Sequence, residues 1–284
     1  MRFYKYHALG NDYLVLEPSA CPALPTPEAT RKICHRHYGL GSDGILYGPI
    51  PRTDGDFGLR ILNPDGSEAE KSGNGIRIFC RHLLETQKVR EGQTFHIHTV
   101  GGRVACVVHD GGQRIRVEMG RVSFRSKEIP MTGPDREVLK ETIEVSGRSF
   151  EFCGATVGNP HCVIPVSETT PELARTFGPH LENHPWFPNR TNVQFLQVLD
   201  RKTLRIEIWE RGAGYTLASG SSSSSSASVD YRLGLVDAEV TVLMPGGKIE
   251  IGISPDFSIV MSGPTTPVGT YEMHSGVVVQ DVAL

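Results

Sequence analysis

The apolar positions of this 284-residue chain change their period several times, and the changes recur in order in its second half. After the turn Ser72-Gly73-Asn74-Gly75, residues Ile76, Phe79, Cys80, Leu83 and Leu84 fall at three- and four-residue spacing, which predicts a helix with one buried stripe. Leu59-Arg60-Ile61, Leu204-Arg205-Ile206 and Arg114 to Met119 read as strands. Thr26-Pro27-Glu28 and Thr170-Pro171-Glu172 each read as a helix start, with Thr as N-cap and Pro at the first helical position.

Four anchors pair up in one order, which is the signature of a duplicated chain. Gly10-Asn11-Asp12-Tyr13 recurs as Gly158-Asn159-Pro160-His161, Thr26-Pro27-Glu28 as Thr170-Pro171-Glu172, Leu59-Arg60-Ile61 as Leu204-Arg205-Ile206, and Ser72-Gly73 as Ser219-Gly220. The offsets are 148, 144, 145 and 147 residues, so only small insertions separate the copies. One such match arises by chance, whereas four in register argue for duplication. The expected domains are 1–121 and 122–266, with a valine-rich segment at about Pro267 to Val282 returning as a strand to the first, so that residues 267–284 belong there. Ser221 to Ser226 form a six-serine run, a composition that alone reads as a flexible linker. The repeat register instead predicts a helix, continued by Ala227, Tyr231 and Leu233 and matched in length to the one after Ser72.

Composition narrows the choice of partner. With 29 Lys+Arg against 32 Asp+Glu and no basic cluster, nothing resembles a nucleic-acid or membrane footprint, so a small polar ligand is expected. Apolar runs such as Val277 to Val279 are too short to span a bilayer, and with no signal pattern at the N-terminus a cytosolic protein is expected. The six cysteines have neither C-x-x-C spacing nor a companion histidine array, so they read as buried thiols rather than metal ligands.

Gly39-Leu40-Gly41-Ser42-Asp43-Gly44 matches G-x-G-x-x-G but follows a helix expected to end at Tyr38 and leads into a strand. A dinucleotide fingerprint needs the opposite order, so this is read as a glycine cap and turn. The two Ser-Gly turns are more specific. A helix N-terminus offers unpaired amides and partial positive charge, so two of them, with amides near Asn74-Gly75 and Gly220-Ser221, suit a carboxylate whose α-proton is removed without pyridoxal. Gly73 with Asn74, and Gly220 with Ser221, are the substrate-binding candidates of those turns. Asn11, Asn63, Asn159 and Asn192 lie in Gly- or Pro-containing loops, and Glu210-Arg211 opens the Gly212-Ala213-Gly214 turn. Such groups suit an amino group and a second carboxylate, with Arg211 pairing in bidentate fashion. Taken singly, each asparagine reads as a loop residue, and His161 as a packing histidine.

Together these segments resemble the diaminopimelate epimerase family. The likeness runs from Phe3-x-Lys5 to the C-terminal strand, through Gly10 to Tyr13, Gly39 to Gly44, Asn63-x-Asp65-Gly66-Ser67, Gly73-Asn74-Gly75-x-Arg77, Gly158 to His161, Asn192-Val193 and Glu210 to Gly214. It implies an α/β fold of two pseudo-symmetric domains with a cleft between them, a cofactor-independent and commonly dimeric enzyme, and inversion of an amino-acid α-carbon by two cysteines. This chain has Ser72 and Ser219 at those positions, Tyr215 where the family has Glu, and the serine run where it has Gly-Thr-Gly. A thiol reaches its anion near neutral pH and a serine hydroxyl does not unaided. Three readings follow: a Cys-to-Ser form that traps substrate, a paralogue with activated hydroxyls, or an amino-acid-binding pseudoenzyme. Asn63, Asn192 and Arg211 favour diaminopimelate over the substrates of other racemases on the scaffold, such as histidine.

Overall fold

A computed structural model describes residues 1–54, 56–274 and 276–279. The chain forms two compact units, Met1–Val117 with Gly263–Leu284, and Glu118–Ser262. In the first copy β1 (Arg2–Ala8) and β2 (Asn11–Leu16) are antiparallel, and α1 (Pro27–Cys34) crosses to β3 (Ile45–Pro51), parallel to β2. Then come β4 (Phe57–Leu62), the short β5 (Glu68–Ala69), α2 (Gly73–Glu85), β6 (Thr94–Thr99), β7 (Gly102–His109) and β8 (Arg114–Arg121). Strand β6 runs parallel to β4, and the remaining neighbours are antiparallel.

The second copy repeats this sequence of elements. After β9 (Glu141–Val145) come β10 (Arg148–Thr156), β11 (Pro160–Pro165), α3 (Pro171–Glu182), β12 (Asn192–Asp200), β13 (Thr203–Glu210), β14 (Gly214–Thr216), α4 (Gly220–Arg232), β15 (Glu239–Met244), β16 (Gly247–Ile253) and β17 (Ser258–Gly263). The parallel pairs β11–β12 and β13–β15 stand where β2–β3 and β4–β6 stand in the first. Last in the chain are β18 (Thr266–Glu272) and the single turn α5 (Gly276–Val279). Strand β18 lies antiparallel on β1 as β9 lies on β10, so the end of the chain supplies the first copy with the strand that precedes the second. Of the C-terminal strand expected to reach Val282, residues 280–282 lie outside the described residues.

Both Thr-Pro starts cap helices as expected. Ala29 donates its amide to Thr26 Oγ1 at 3.2 Å and Leu173 to Thr170 Oγ1 at 3.3 Å. The helix before Gly39 ends earlier than Tyr38: α1 stops at Cys34, and the chain folds back so that the Leu40 and Gly41 amides bond to the Ile33 carbonyl. Carbonyls near the helix end are satisfied by this return loop rather than by another helical turn.

Alternation along the strands sorts the second unit into two faces. Phe150, Phe152, Val193, Phe195 and Trp209 pack with Ala174 and Leu181 of α3. The residues between them, including Cys153, His161, Gln194 and Ile208, are also buried, and α4 packs against β10, β11, β12, β13, β15 and β16. The single buried stripe expected for α2 is a correction in the same sense. Ile76, Arg77, Ile78, Phe79, Cys80, His82 and Leu83 are all buried, while Leu84 is only half-buried. Polar Arg77 and His82 are tolerated because each is bonded, Arg77 to Asn74 Oδ1 at 2.8 Å and His82 to Glu17 Oε1 at 3.0 Å. Fully burying a side chain such as Phe79 or Leu83 stabilises the unit by about 2 kcal/mol.

The serine run is helical. Helices α2 and α4 are both 13 residues long, and Ser222 to Ser226 are fully buried. Ser223 and Ser224 donate to the carbonyls of Ser219 and Gly220, four residues back, at 2.8 Å. Among the described residues, the hydroxyls of Ser225, Ser226 and Ser228 and both carboxyl oxygens of Asp230 are buried without a hydrogen-bond partner. Burial pushes Asp230 up to about 7. All six cysteines are free thiols, five of them buried.

Candidate active site

Each unit presents a helix whose first turn is built in the same way. Ser72 caps α2 in an extended conformation (φ −138°, ψ 116°), and its Oγ accepts the Gly75 amide at 3.0 Å. A Cβ on Gly75 would lie 3.2 Å from Ser72 Oγ and 3.0 Å from Leu46 Cδ2, so glycine keeps the cap from being crowded. Asn74, the second helical residue, donates through Nδ2 to Asn11 Oδ1 at 3.0 Å, and Asn11 Nδ2 donates to Asp43 Oδ2 at 2.9 Å. Tyr13 Oη lies 3.3 Å from Ser72 Oγ. Beneath this loop Asp12 pairs with Lys5 at 2.9 Å and Arg36 at 2.8 Å. Burial alone would raise the Asp12 carboxyl, but those two cations outweigh it and hold it below the ordinary range.

Ser219 repeats the cap on α4 (φ −148°, ψ 124°), with Oγ accepting the Ser222 amide at 3.4 Å. Here the second helical residue is Ser221, and Asn159 Nδ2 donates to its Oγ at 3.3 Å. Asn11 and Asn159 therefore hold equivalent helix positions. His161 is fully buried, 3.1 Å from Asn159 Oδ1 and 3.3 Å from Gln194 Oε1, and Gln194 Nε2 donates to Ser222 Oγ at 3.0 Å. Burial pushes His161 down to about 3, so it is neutral at physiological pH and orients its neighbours.

The helix ends differ in charge according to position. Helices α1 and α3 carry Glu28 and Glu172 in their first turns, which compensate the positive end of each dipole. The first turns of α2 and α4 contain no acidic residue. Their N-termini are left suited to an external anion. The cap bonds take the Gly75 and Ser222 amides, which corrects the expectation that Gly75 faces a ligand; the earlier amides are those of Gly73 and Asn74, and of Gly220 and Ser221.

The remaining candidates separate into two groups. Asn192 joins Arg211: its Oδ1 accepts the Arg211 amide at 3.0 Å while its Nδ2 donates to the Pro160 carbonyl at 2.8 Å. The exposed Arg211 guanidinium reaches the Asn189 carbonyl at 3.2 Å, and Glu210 accepts from Thr216 Oγ1 at 3.3 Å. Asn63 instead closes its own turn, with Nδ2 donating to Ser67 Oγ at 2.9 Å. Tyr215 belongs to the α3 face, where it donates to Glu207 Oε2 at 2.6 Å under the Arg175 guanidinium. Burial raises both Tyr215, to about 12, and Glu207. Sequence reasoning missed two contacts, Tyr13 with Ser72 and Gln194 with Ser222. Tyr13 lay inside a quoted motif, but its partner is 59 residues away.

The "Diaminopimelate epimerase" family model matches residues 3–125 and 153–268, one segment per copy. The chain belongs to the diaminopimelate epimerase family. It is 56% identical over 275 residues to diaminopimelate epimerase 2 of Nostoc sp., covering 97% of this chain and 96% of that relative. It is 40% identical to the diaminopimelate epimerase of Moorella thermoacetica, covering 94% and 97%. A hydroxyproline epimerase from Agrobacterium vitis superposes with a TM-score of 0.73 at 16% identity, covering 95% of this chain and 91% of that one. A methylitaconate-delta-isomerase gives 0.62 at 13% identity, covering 100% and 98%. At those identities the likeness is one of fold. The named relatives make this an isomerase scaffold of the epimerase class. No helix among the described residues is long and apolar enough to cross a membrane.

Proposed function

We propose that this chain is a pyridoxal-independent epimerase scaffold for diaminopimelate in which positions 72 and 219 serve opposite faces of one α-carbon. The observation that carries the reading is the matched pair of caps, each on a helix without first-turn acid and each anchored through its second residue by a Gly-Asn loop. One group takes the α-proton, the C–H electron pair passes into the carboxylate held by the helix amides, and the other group returns a proton to the opposite face. Hydroxyls at both positions are too weakly acidic to supply the resting anion, so with Ser72 and Ser219 the chain binds substrate and turns it over little or not at all. Arg211 takes the distal carboxylate. The protein acts in the cytosol as a homodimer, a state supported by β18, which is exposed along its whole length and presents Val268 and Tyr271.

Calorimetric titration of the unmodified protein tests the substrate class. Diaminopimelate should bind, and Arg211→Ala should weaken it by about 2 kcal/mol while changing a monocarboxylate amino acid little. Equal losses for both ligands would remove the reason for preferring diaminopimelate. An amino-acid-binding pseudoenzyme is the second reading, favoured by the same two serines. It predicts binding without α-proton exchange even when thiols occupy both positions.

A further inference from the structure

We propose that Tyr13 is a positioning residue for the proton-transfer group at position 72, donating its phenol hydrogen to that group's anion, and that position 219 has no equivalent. The first observation is the pattern of donors. Ser72 Oγ receives the Gly75 amide at 3.0 Å and lies 3.3 Å from Tyr13 Oη. A phenol gives up its proton more readily than an aliphatic alcohol, so an anion at this position is met by both an N–H and an O–H donor. Ser219 Oγ receives its amide from Ser222 at 3.4 Å and has Ser221 Oγ at 3.5 Å, so both of its contacts are longer.

A second, independent observation is how the phenol is held. Tyr13 is buried, and a Cβ on Gly44 would lie 2.7 Å from Tyr13 Cε1 and 2.6 Å from the Leu62 carbonyl oxygen. The last glycine of the G-x-G-x-x-G segment therefore leaves room for the ring that reaches Ser72. The residue that repeats Tyr13 in the second copy is His161, and its ring nitrogens face Asn159 and Gln194 rather than the Ser219 hydroxyl. The duplicated caps are unequal as a result. The group at 72 is the one stabilised as the proton acceptor, and the group at 219 rests as the donor.

This inference rests on positions 72 and 219 being proton-transfer positions, but its test does not use turnover. Ser72→Cys and Ser219→Cys, made singly, each place a titratable reporter on the cap. Thiolate absorbance is followed against pH, each variant being measured against its own serine parent so that the six native thiols cancel. The Ser72→Cys reporter should ionise at lower pH than the Ser219→Cys reporter. Adding Tyr13→Phe, which keeps the ring, should reduce the thiolate fraction of the first at neutral pH on the order of tenfold and leave the second unchanged. A titration at 72 that ignores Tyr13→Phe, or equal shifts at both positions, would overturn the proposal. With both serines intact, Tyr13→Phe should release the Ser72 hydroxyl into a second side-chain conformer in a high-resolution crystal structure; one unchanged conformer counts against it. If the titrations differ as stated while the double cysteine protein exchanges no α-proton, the functional reading fails and only the stabilisation of an anion at position 72 by Tyr13 stands.

Discussion

Helices α2 and α4 share a length, an N-cap and an asparagine anchor, yet they are filled in different ways. Beyond its first turn α2 buries mainly apolar side chains, and its buried Arg77 and His82 each hydrogen-bond to another side chain. Helix α4 carries three hydroxyls and a carboxyl buried without partners. Only the first turns have kept the same construction. The scaffold therefore constrains the helix start more tightly than the chemistry of the helix body.

The largest test of that contrast lies in Asp230. Its charge also acts on the Cys153 thiol of β10, which is raised first by burial and then by Glu151 and Asp230. A carboxyl raised from 3.8 to about 7 stays mostly protonated in the fold below that pH, whereas in the unfolded chain it ionises from about 4 upward. Its contribution to stability is complete below the unfolded value and is lost as pH rises to about 7, amounting to as much as about 4 kcal/mol. Denaturant titrations at several pH values should show this fall in the parent, and Asp230→Asn should flatten it. A slope unchanged by the substitution would place the pH dependence elsewhere.

Next come the orphan hydroxyls. Replacing Ser225, Ser226 and Ser228 together with alanine removes buried unpaired groups and adds helix propensity, and should stabilise the protein by about 3 kcal/mol. Destabilisation in the same denaturant assay would mean that those hydroxyls are satisfied after all.

The smallest effect concerns the anchors. Asn11→Ala and Asn159→Ala should each cost about 1 kcal/mol, and Asn11→Ala somewhat more, because each side chain has two partners but Asn11 donates to the Asp43 carboxylate whereas Asn159 meets Ser221 and His161. A large gap between them, measured by thermal melting, would show that the two loops are not equivalent in energy.

Much of this was legible in the sequence where the signal is local. Thr26 and Thr170 announce their helices by a cap and a following proline, and Ser72 with Ser219 falls in register with them. The helical state of Ser221 to Ser226 followed from that register, not from composition. What could not be read depends on distant chain. The all-round burial of α2 comes from strands that wrap it, so a periodicity that marks one stripe understates it. The end of α1 at Cys34 is set by a loop folding back onto Ile33, with no stop signal in the helix itself. Tyr215 departs from the family pattern next to the Glu210-Arg211 turn, yet its side chain packs on the opposite, α3 side of β14, where adjacency in sequence gives no guide.

In the proposed reaction two copied caps act on one α-carbon. It is tested most directly by proton NMR of LL-diaminopimelate in deuterium oxide with the protein carrying Ser72→Cys and Ser219→Cys together. Loss of the α-proton signal and appearance of the meso isomer are expected with the double variant, and neither with the unmodified chain. Binding without exchange in the double variant, or exchange just as fast in the unmodified chain, would contradict it.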